Sequence, residues 1–529
     1  LLQIICADQA QRSLQDGGSA FMKIAGYQPS TLVTDHNALD LDQAAIEDQL
    51  SSLSEETFGN AVKVYEQGGH SKSFATLQLS QPLTEDLPPG THVRGRADDQ
   101  DTVVKGKTKG VHQVNSDVLQ VLYQVLEEQD SYVDCQVGGM AGFGEANRDG
   151  CFADSGTIMV DNRTDLSFDY TYNPRADNNN GRTIAVFSKD AGNRMRPSAT
   201  APYYSTFQKY VNYYGQPDYG DMFIVAAASP NGKATEFVST RGNADFSSDL
   251  LQHPMAARKE GFRRGTVLLN IWMYVIRELE DAIDDCHRGD RDAHALNEAV
   301  AFWTGSLEGE DGSGTGVLMH GIADEFCAKM GTCDGDGNSM VNKEMFSLFE
   351  EGRDMLLLGL CKDTRRVKEK IENLMVVPLV QGMLWYANQE DPTSGNKANG
   401  AAFAAAVLPH VHHCNPMAAD VVYEQMKVGY DTASPDFKAV KSAVEGSYGC
   451  MNIKCSQVGG VVNGNGDTKA CSDGKNRKVA VIVPIFVGLG VVVVLGGMYV
   501  RRRATRKEPV VIDSSDGEFV GAESGQAVI

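Results

Sequence analysis

The sequence predicts a mostly helical α+β fold, with a duplicated two-lobe ectodomain and one transmembrane helix near the C-terminus. Three observations lead to this fold class. Two segments of the chain are versions of one another, a long uncharged run lies near the C-terminus, and ten of the eleven cysteines lie between the N-terminal apolar residues and that run. The 529 residues are enough for two or three domains with substantial cores.

The domain boundaries follow from shifts in composition along the chain. The first residues, LLQIICA, resemble the end of a signal peptide's apolar region, so we assign 1–10 to a signal-peptide remnant. Lobe one is predicted over 20–150, and an irregular insertion or linker rich in Gly, Asn and Asp over 151–195. Lobe two is predicted over 196–455, as a repeat of lobe one plus a helical extension. A flexible stalk is predicted over 456–478.

The run at 479–500 contains no charged residue and would reach about 33 Å as a helix, enough to cross a bilayer. Arg501, Arg502 and Arg503 follow it directly, which by the positive-inside rule predicts a cytoplasmic tail over 501–529. We therefore expect a single-pass type I protein of the plasma membrane, with the large domain outside the cell.

The repeat is clearest between Gly110–Cys135 and Gly261–Cys286, where the matching residues are polar. The pairs are Tyr123 with Tyr274, Glu127 with Glu278, Asp130 with Asp281, Asp134 with Asp285, and Cys135 with Cys286. The spacing i, i+4, i+7, i+11 places Tyr, Glu, Asp and Asp along one face of a helix. Phenolate and carboxylate oxygens suit a hard cation such as ferric iron. The alternative is an ordinary charged helix surface that faces solvent.

A second repeated block lies upstream and contributes two more tyrosines. Tyr65 and Tyr214 each end a predicted helix, and each copy continues into a predicted strand, FATLQLS in the first and MFIVAAAS in the second. Both tyrosines are candidate metal ligands, although a repeated Tyr is commonly a buried packing residue.

Basic residues occur beside the stripe in the second copy alone. The candidates to bind an anion there are Arg263, Arg264 and Arg277. The matching positions of the first copy contain no arginine or lysine, since they are His112, Gln113 and Leu126. We therefore expect lobe two to contain the better metal site.

Charge and cysteines indicate the compartment. A net charge of -22 argues against a nucleic-acid partner. Ten cysteines ahead of the uncharged run predict five disulfides, and proximity alone suggests Cys135–Cys151, Cys327–Cys333 and Cys450–Cys455. Asn162 begins a glycosylation sequon.

Two smaller motifs support only weaker predictions. Residues 334–338 (DGDGN) begin like a calcium loop, but Ser339 and Met345 replace the Gly and Glu that an EF-hand requires, so weak calcium binding is the most that we expect. His294 and Glu298 share a helix face, as a ligand pair or as a surface contact. No catalytic motif in a suitable context is present, and we do not predict an enzyme.

Four segments resemble the algal iron-assimilation proteins, the phytotransferrins. They are AVAFWTGSLEGEDGSGTGVLMHGIADEFC (299–327), VVPLVQGMLWYA (376–387), AAAVLPHVHHCN (404–415) and VYEQGGHSKSFATLQLSQPL (64–83). The resemblance implies a cell-surface receptor that captures ferric iron with carbonate as a synergistic anion, enters endosomes and releases its iron by reduction. It also implies endocytic adaptors and a ferric reductase as partners. The family's ligands are not matched residue by residue, so the candidate site above comes from the repeat.

Two other functions remain open at this point. One is an adhesion or signalling ectodomain with incidental calcium binding at 334–338. The other is a membrane-tethered metallohydrolase, which would need three metal ligands, an open coordination position and a nearby base, and no such set is apparent in the sequence.

Overall fold

The computed structural model describes most of the chain up to Cys471. The described residues are 23–31, 33–68, 71–72, 74–96, 103–123, 135–137, 148–149, 152–161, 163–172, 183–230, 244–247, 251–390, 392–430, 434–462 and 471. The predicted signal-peptide remnant and cytoplasmic tail lie outside these residues, and so does most of the predicted stalk.

Helices form most of the described structure. In chain order they are α1 (Thr34–Asn37), α2 (Leu39–Gln49), α3 (Glu55–Gln67), α4 (Ile184–Lys189), α5 (Ala191–Arg194), α6 (Ser205–Tyr214), α7 (Tyr219–Ala228), α8 (Pro254–Gly265), α9 (Trp272–Arg288), α10 (His294–Thr304), α11 (Met319–Met330), α12 (Met340–Leu357), α13 (Cys361–Ala387), α14 (Ser394–Cys414), α15 (Pro416–Met426), α16 (Phe437–Glu445), α17 (Tyr448–Met451) and α18 (Cys455–Val458). A π-helical turn, Thr266–Ile271, joins α8 to α9, and a 3-10 turn, Ser306–Glu308, follows α10.

The strands lie between α3 and α4. They are β1 (Ser71–Lys72), β2 (Phe74–Leu79), β3 (His92–Arg96), β4 (Val103–Thr108), β5 (Val118–Tyr123), β6 (Cys135–Val137), β7 (Arg148–Asp149), β8 (Ser155–Val160) and β9 (Arg163–Thr171). Six of them close into an antiparallel barrel in the order β2-β5-β4-β3-β8-β9, and the other three form a small sheet, β1-β6-β7. Alternate residues along each strand point into the barrel and fill its interior. These buried residues include Ala75, Leu77, Val93, Leu119 and Val121.

The helical core is organised around α13 and α14. The sequence of α13 is charged in its first half and apolar in its second, and almost every residue from Ile371 to Ala387 is buried. The neighbouring helix α14 is rich in alanine and buried along most of its length, so its small side chains allow the two helices to approach closely.

The N-terminal segment packs into this helical body far from its neighbours in sequence. The hydroxyl of Tyr27 donates a 2.6 Å hydrogen bond to Asn297 on α10. Asp40 on α2 accepts hydrogen bonds from the Ser306 hydroxyl at 2.7 Å and from the Leu307 amide at 2.6 Å. Gly305 precedes this turn with φ +84°, and a Cβ at this residue would lie 2.5 Å from the Asp40 carboxylate. The glycine-rich GSLEG segment is therefore built to receive Asp40.

The prediction of two lobes with the same fold is wrong. In the first copy, residues 118–123 form barrel strand β5, whereas the equivalent residues of the second copy, 269–274, span the end of the π-helical turn and the start of helix α9. The second predicted strand, MFIVAAAS, belongs to helix α7, because a short apolar run has no periodicity that separates a buried strand from a buried helix. The predicted insertion at 151–195 supplies barrel strands β8 and β9.

The predicted C-terminal transmembrane helix is also not supported. Within the residues that the structure describes, no helix has both the length and the apolar character needed to cross a bilayer. The run at 479–500 lies outside those residues. The fold class is corrected to a mostly helical body with a small six-stranded barrel.

Among the described residues, four disulfides brace the helical body: Cys286–Cys361, Cys327–Cys333, Cys414–Cys450 and Cys455–Cys471. Cys327–Cys333 confirms the pairing expected from proximity. The expected Cys450–Cys455 pair is wrong, because α17 packs against α14 and thereby brings Cys450 to Cys414. Cys151 lies outside the described residues, so the Cys135–Cys151 pairing stays a prediction.

Candidate functional site

The predicted stripe of the second copy lies on α9, an amphipathic helix held at both ends. The π-helical turn Thr266–Ile271 precedes it, and such turns are frequent at functional sites. Gly289 ends it in the left-handed conformation, with φ +92°, as expected for a glycine that follows a helix. The Cys286–Cys361 disulfide ties the last turn of α9 to the start of α13. The stripe is therefore presented on a rigid element.

Tyr274 is buried in an aromatic pocket near the start of this helix. Its ring stacks on Phe187 with the centroids 3.7 Å apart and meets Phe302 edge-on at 5.3 Å. Arg194 donates a 3.3 Å hydrogen bond to its hydroxyl. Burial raises the pKa of Tyr274 to about 12. Tyr274 is thus a phenol, with two cationic neighbours, Arg277 and Arg194, that would stabilise a phenolate.

Glu278 lies one turn further along the helix and is only 2 % exposed. Arg277 donates a 2.6 Å hydrogen bond to its Oε1 atom and pairs through its other terminal nitrogen with Asp281. Burial raises the pKa of Asp281 to about 6, against the opposing effect of Arg277. Arg277 therefore joins two of the predicted acidic ligands.

Glu298 on α10 faces this group and had not been assigned a definite role. Its Oε1 atom lies 2.5 Å from Nε2 of His36 and 3.1 Å from Nε2 of His294. His36 comes from α1, far earlier in the chain, and is 4 % exposed. The other ring nitrogen of His294 contacts the Thr31 hydroxyl at 3.0 Å, which fixes the orientation of that ring.

Glu278 and Glu298 form a hydrogen-bonded carboxyl pair. Burial, together with the charge of Glu298, raises the pKa of Glu278 well above its ordinary value. Burial would raise the pKa of Glu298 too, but His36 and His294 hold it well below its ordinary value. Among the described residues, no N–H or O–H group donates to Oε2 of Glu278. Glu278 is therefore the protonated member and donates its proton to ionised Glu298.

We call the group of His36, Tyr274, Glu278, His294 and Glu298 the α9–α10 cluster. It contains a phenol, two carboxyl groups and two imidazoles, which are ligand types for a transition metal or for ferric iron. In the described part of the chain, no group of three or more His, Cys, Asp or Glu side chains has an arrangement that could hold a metal ion. The cluster is closed by its own hydrogen bonds, so a metal ion would have to displace the proton between the carboxyl groups.

The structure separates the remaining predicted ligands of the helical body from this cluster. Tyr65 is fully buried and donates a 2.7 Å hydrogen bond to Asp221, while Asn270 donates to its oxygen at 2.9 Å. Tyr214 is also buried and donates to the carbonyl oxygen of Ala405. Asp285, at the end of α9, pairs with Arg288. Tyr65 and Tyr214 are therefore core residues whose hydroxyl groups are hydrogen-bonded, which is the alternative that the sequence left open.

Two of the predicted anion-binding residues are already engaged elsewhere. Arg263 pairs with Glu260 at 2.8 Å and with Glu47 at 3.4 Å. Arg264 pairs with Glu325 at 2.9 Å and lies over the ring of Phe403. Arg277 alone of the predicted three contacts the α9 carboxylates.

The candidate ligands of the first copy are not brought together by a helix. Tyr123 is the last residue of strand β5, in the barrel, and this strand replaces the predicted helix. Glu127, Asp130 and Asp134 lie outside the described residues, as does the sequon residue Asn162.

The calcium-like loop is held by its own backbone. Oδ1 of Asp334 accepts hydrogen bonds from the amides of Asp336 and Asn338, each at 3.0 Å. The Cys327–Cys333 disulfide precedes it, and Lys343 lies 3.6 Å from the other Asp334 oxygen. The loop therefore resembles a braced turn more than a set of converging ligands.

His36 and the full role of Glu298 were missed for different reasons. No local pattern marks His36, because its partner lies in a distant part of the chain. The spacing of His294 and Glu298 was a usable signal, but it does not tell whether the shared face meets solvent or another acidic helix.

The chain matches no protein-family model, no curated protein and no solved structure. The interpretation of the α9–α10 cluster therefore depends on its own residues.

Proposed function

We propose that this chain is a ferric-iron-binding receptor of the phytotransferrin kind, exposed at the cell surface and internalised with its cargo. The observation that supports this function best is the convergence of His36, His294 and Glu278 on the carboxylate of Glu298. With Tyr274 on the same helix as Glu278, these side chains supply the oxygen and nitrogen donors that ferric iron accepts.

The disulfides support an extracellular setting. Four of them lie in the helical body, and stable disulfides form mainly in oxidising compartments. In such a compartment dissolved iron is ferric, and ferric iron prefers hard oxygen ligands. The net charge of -22 favours attraction of cations to the protein surface.

Iron capture at the α9–α10 cluster would require the loss of protons. Glu278 holds a proton that it donates to Glu298, and Tyr274 is a phenol with a pKa of about 12. A bound trivalent ion would displace the Glu278 proton and would favour the phenolate of Tyr274. Affinity would therefore fall as the pH falls, which suits release in an acidified endosome before reduction.

Arg277 is the proposed contact for a synergistic carbonate. Its guanidinium group lies 5.4 Å from the centre of the Tyr274 ring and already binds both Glu278 and Asp281. If iron draws Glu278 away, donors of Arg277 become free to bind a carbonate in bidentate fashion. Arg194, which contacts the Tyr274 hydroxyl, is a second cation at the same place.

Isothermal titration of the full-length chain with ferric nitrilotriacetate, with and without bicarbonate, tests this function. We expect binding that is tighter with bicarbonate, releases protons and produces a visible tyrosinate-to-iron absorption band. Tyr274→Phe should remove the band, and Glu298→Gln should weaken binding at least about tenfold, or about 1.4 kcal/mol.

Glu308→Gln is the matched control, because Glu308 is a buried carboxyl group that contacts one histidine, His320, at 3.1 Å outside the cluster. Its iron affinity should equal that of the parent. Iron binding that is indifferent to Glu298→Gln and to the double change Glu278→Ala/Asp281→Ala would refute the site. Equal affinity with and without bicarbonate would refute the carbonate alone.

A further inference from the structure

A cleft of about 400 Å³, which includes open solvent, lies between α6, α13, α14 and the Cys414–Cys450 disulfide. Its walls contain Thr206 and Lys209 from α6, Glu372 and Asn373 from α13, and His410 and His413 from α14. None of these residues belongs to the α9–α10 cluster. The disulfide holds the end of α14 against α17, so one wall of the cleft is covalently fixed.

The charged residues behind this cleft do not balance. Lys368 lies 3.0 Å from Glu372 and also pairs with Glu280, and Arg365 lies 3.5 Å from Glu280. These four residues neutralise one another when both carboxyl groups are ionised. Lys209 adds one further cation, which faces the cleft. The network is therefore left with about one excess positive charge, in a protein whose net charge is -22.

Lys209 has no hydrogen bond or ion pair among the described residues. It is partly buried, and this burial lowers its pKa, with a further lowering from Lys368 and an opposing effect from Glu372. Glu372 is in turn buried, which raises its pKa and weakens its ability to compensate Lys209. A half-buried ammonium group that Glu372 compensates only in part is costly, and an anion in the cleft would lower that cost.

The polar groups around Lys209 can donate hydrogen bonds to such an anion. The side chains of Asn373 and Asn452 line the cleft together with His413, and amide and imidazole N–H groups are donors to oxyanions. The positive charge of Lys209 disfavours a metal cation at this place. Burial, reinforced by the charges of Lys209 and His413, lowers the pKa of His410 to about 3, and His410 contacts the Tyr210 hydroxyl at 3.2 Å.

We propose that this cleft is a binding site for a small oxyanion, with Lys209 as the charged anchor. The ligand is either a free inorganic oxyanion or the carboxylate of a small organic acid, since both present a compact, negatively charged group of oxygen acceptors. This site is separate from the iron site, and its occupancy would stabilise the junction of α6, α13 and α14.

Titration of the full-length chain with inorganic phosphate and, separately, with acetate tests the proposal by calorimetry and by the shift in melting temperature. We expect a dissociation constant on the order of 0.1–1 mM for at least one probe, the range expected for one ammonium group and a few hydrogen bonds. Tighter phosphate binding would identify an inorganic oxyanion, and tighter acetate binding a carboxylate. Binding of neither probe at about 10 mM would overturn the proposal.

Lys209→Met should abolish the response, and Lys209→Arg, which keeps the charge, should retain it. Lys362→Met is the matched control, because Lys362 is an exposed lysine at the start of α13, away from the lining of the cleft. A response in Lys209→Met equal to that of the parent would also overturn the proposal. Ferric binding should be the same in Lys209→Met and the parent, so the outcome for this site is distinguishable from that for the iron site.

Discussion

Oε1 of Glu298 lies 2.5 Å from Nε2 of His36, and this contact joins α10 to α1. Because Glu278 donates its proton to the same carboxylate, the two glutamates have opposite protonation states although both are buried. Their different roles lead to predictions that separate them.

Glu278→Gln should change the free energy of unfolding at neutral pH by less than about 1 kcal/mol, since glutamine replaces a carboxyl group that is already neutral. Glu298→Ala should cost about 3–5 kcal/mol, because it removes the partner of two imidazoles and of the Glu278 proton. Chemical denaturation of both variants measures the difference. Equal losses would show that the assignment of the proton to Glu278 is wrong.

The pH dependence of Glu278 has a defined sign. Its pKa is raised in the folded protein, so the folded state binds this proton more tightly than the unfolded state does. The corresponding stability is present at low pH and is lost as the pH rises toward the folded pKa. As the pH rises above the ordinary pKa of 4.5, unfolding curves should therefore show a steeper loss in the parent than in Glu278→Gln. Parallel curves would contradict this expectation.

Asp40 should produce a similar effect at lower pH. Burial raises its pKa to about 6, despite the hydrogen bonds from Leu307 and Ser306. Stability from this group is fully present below its ordinary pKa and is lost as the pH rises through about 6, by about 3 kcal/mol in total. Asp40→Asn should flatten this part of the pH profile. The informative measurement is the difference in slope between the two proteins from pH 4 to 7, since the amide also perturbs the hydrogen bonds at every pH.

Tyr65→Phe should destabilise the protein without affecting iron. The change removes the hydrogen bond to Asp221 and leaves that buried carboxyl group with one partner fewer, at a cost of about 1–3 kcal/mol. Calorimetric titration with ferric iron should give the parent's affinity. A large loss of affinity in a folded Tyr65→Phe protein would return this residue to the list of ligands.

The disulfides should differ in their contribution to stability. Cys286–Cys361 closes a sequence separation of 75 residues and Cys327–Cys333 one of 6, so loop entropy predicts losses of about 4 and about 2 kcal/mol for the paired Cys→Ser variants. Thermal unfolding of the two double variants checks the ranking. The reverse order would show that the helix contacts near Cys327 matter more than the loop that each bond closes.

The sequence allowed good prediction of elements with a clear period and poor prediction of short apolar runs. Helix α3 and strand β2 occupy the predicted segments, because amphipathic or alternating patterns extend over their full length. The segments of β5 and α7 are short and apolar, and there the surrounding structure decides between strand and helix.

The sequence predicted the part of the candidate site that lies on one helix, but not the part that comes from distant segments. Tyr274, Glu278 and Asp281 belong to one helix, so their spacing alone places them on one face. His36 reaches the site from α1 through packing of the N-terminal segment, which no local pattern encodes. The same limit applies to Tyr65, whose partners Asp221 and Asn270 come from distant helices and turn a candidate ligand into a core residue.

The docking of residues 23–50 onto α10 and the turn that follows it also determines when the site can form. Tyr27, His36 and Asp40 must remain without their partners until Asn297, Glu298 and Ser306 have left the ribosome. At about 5–20 residues per second this interval lasts tens of seconds, during which the barrel can close on its own strands. The N-terminal segment therefore docks late in folding. Limited proteolysis of nascent chains, or of iron-free protein, should report whether this segment has docked.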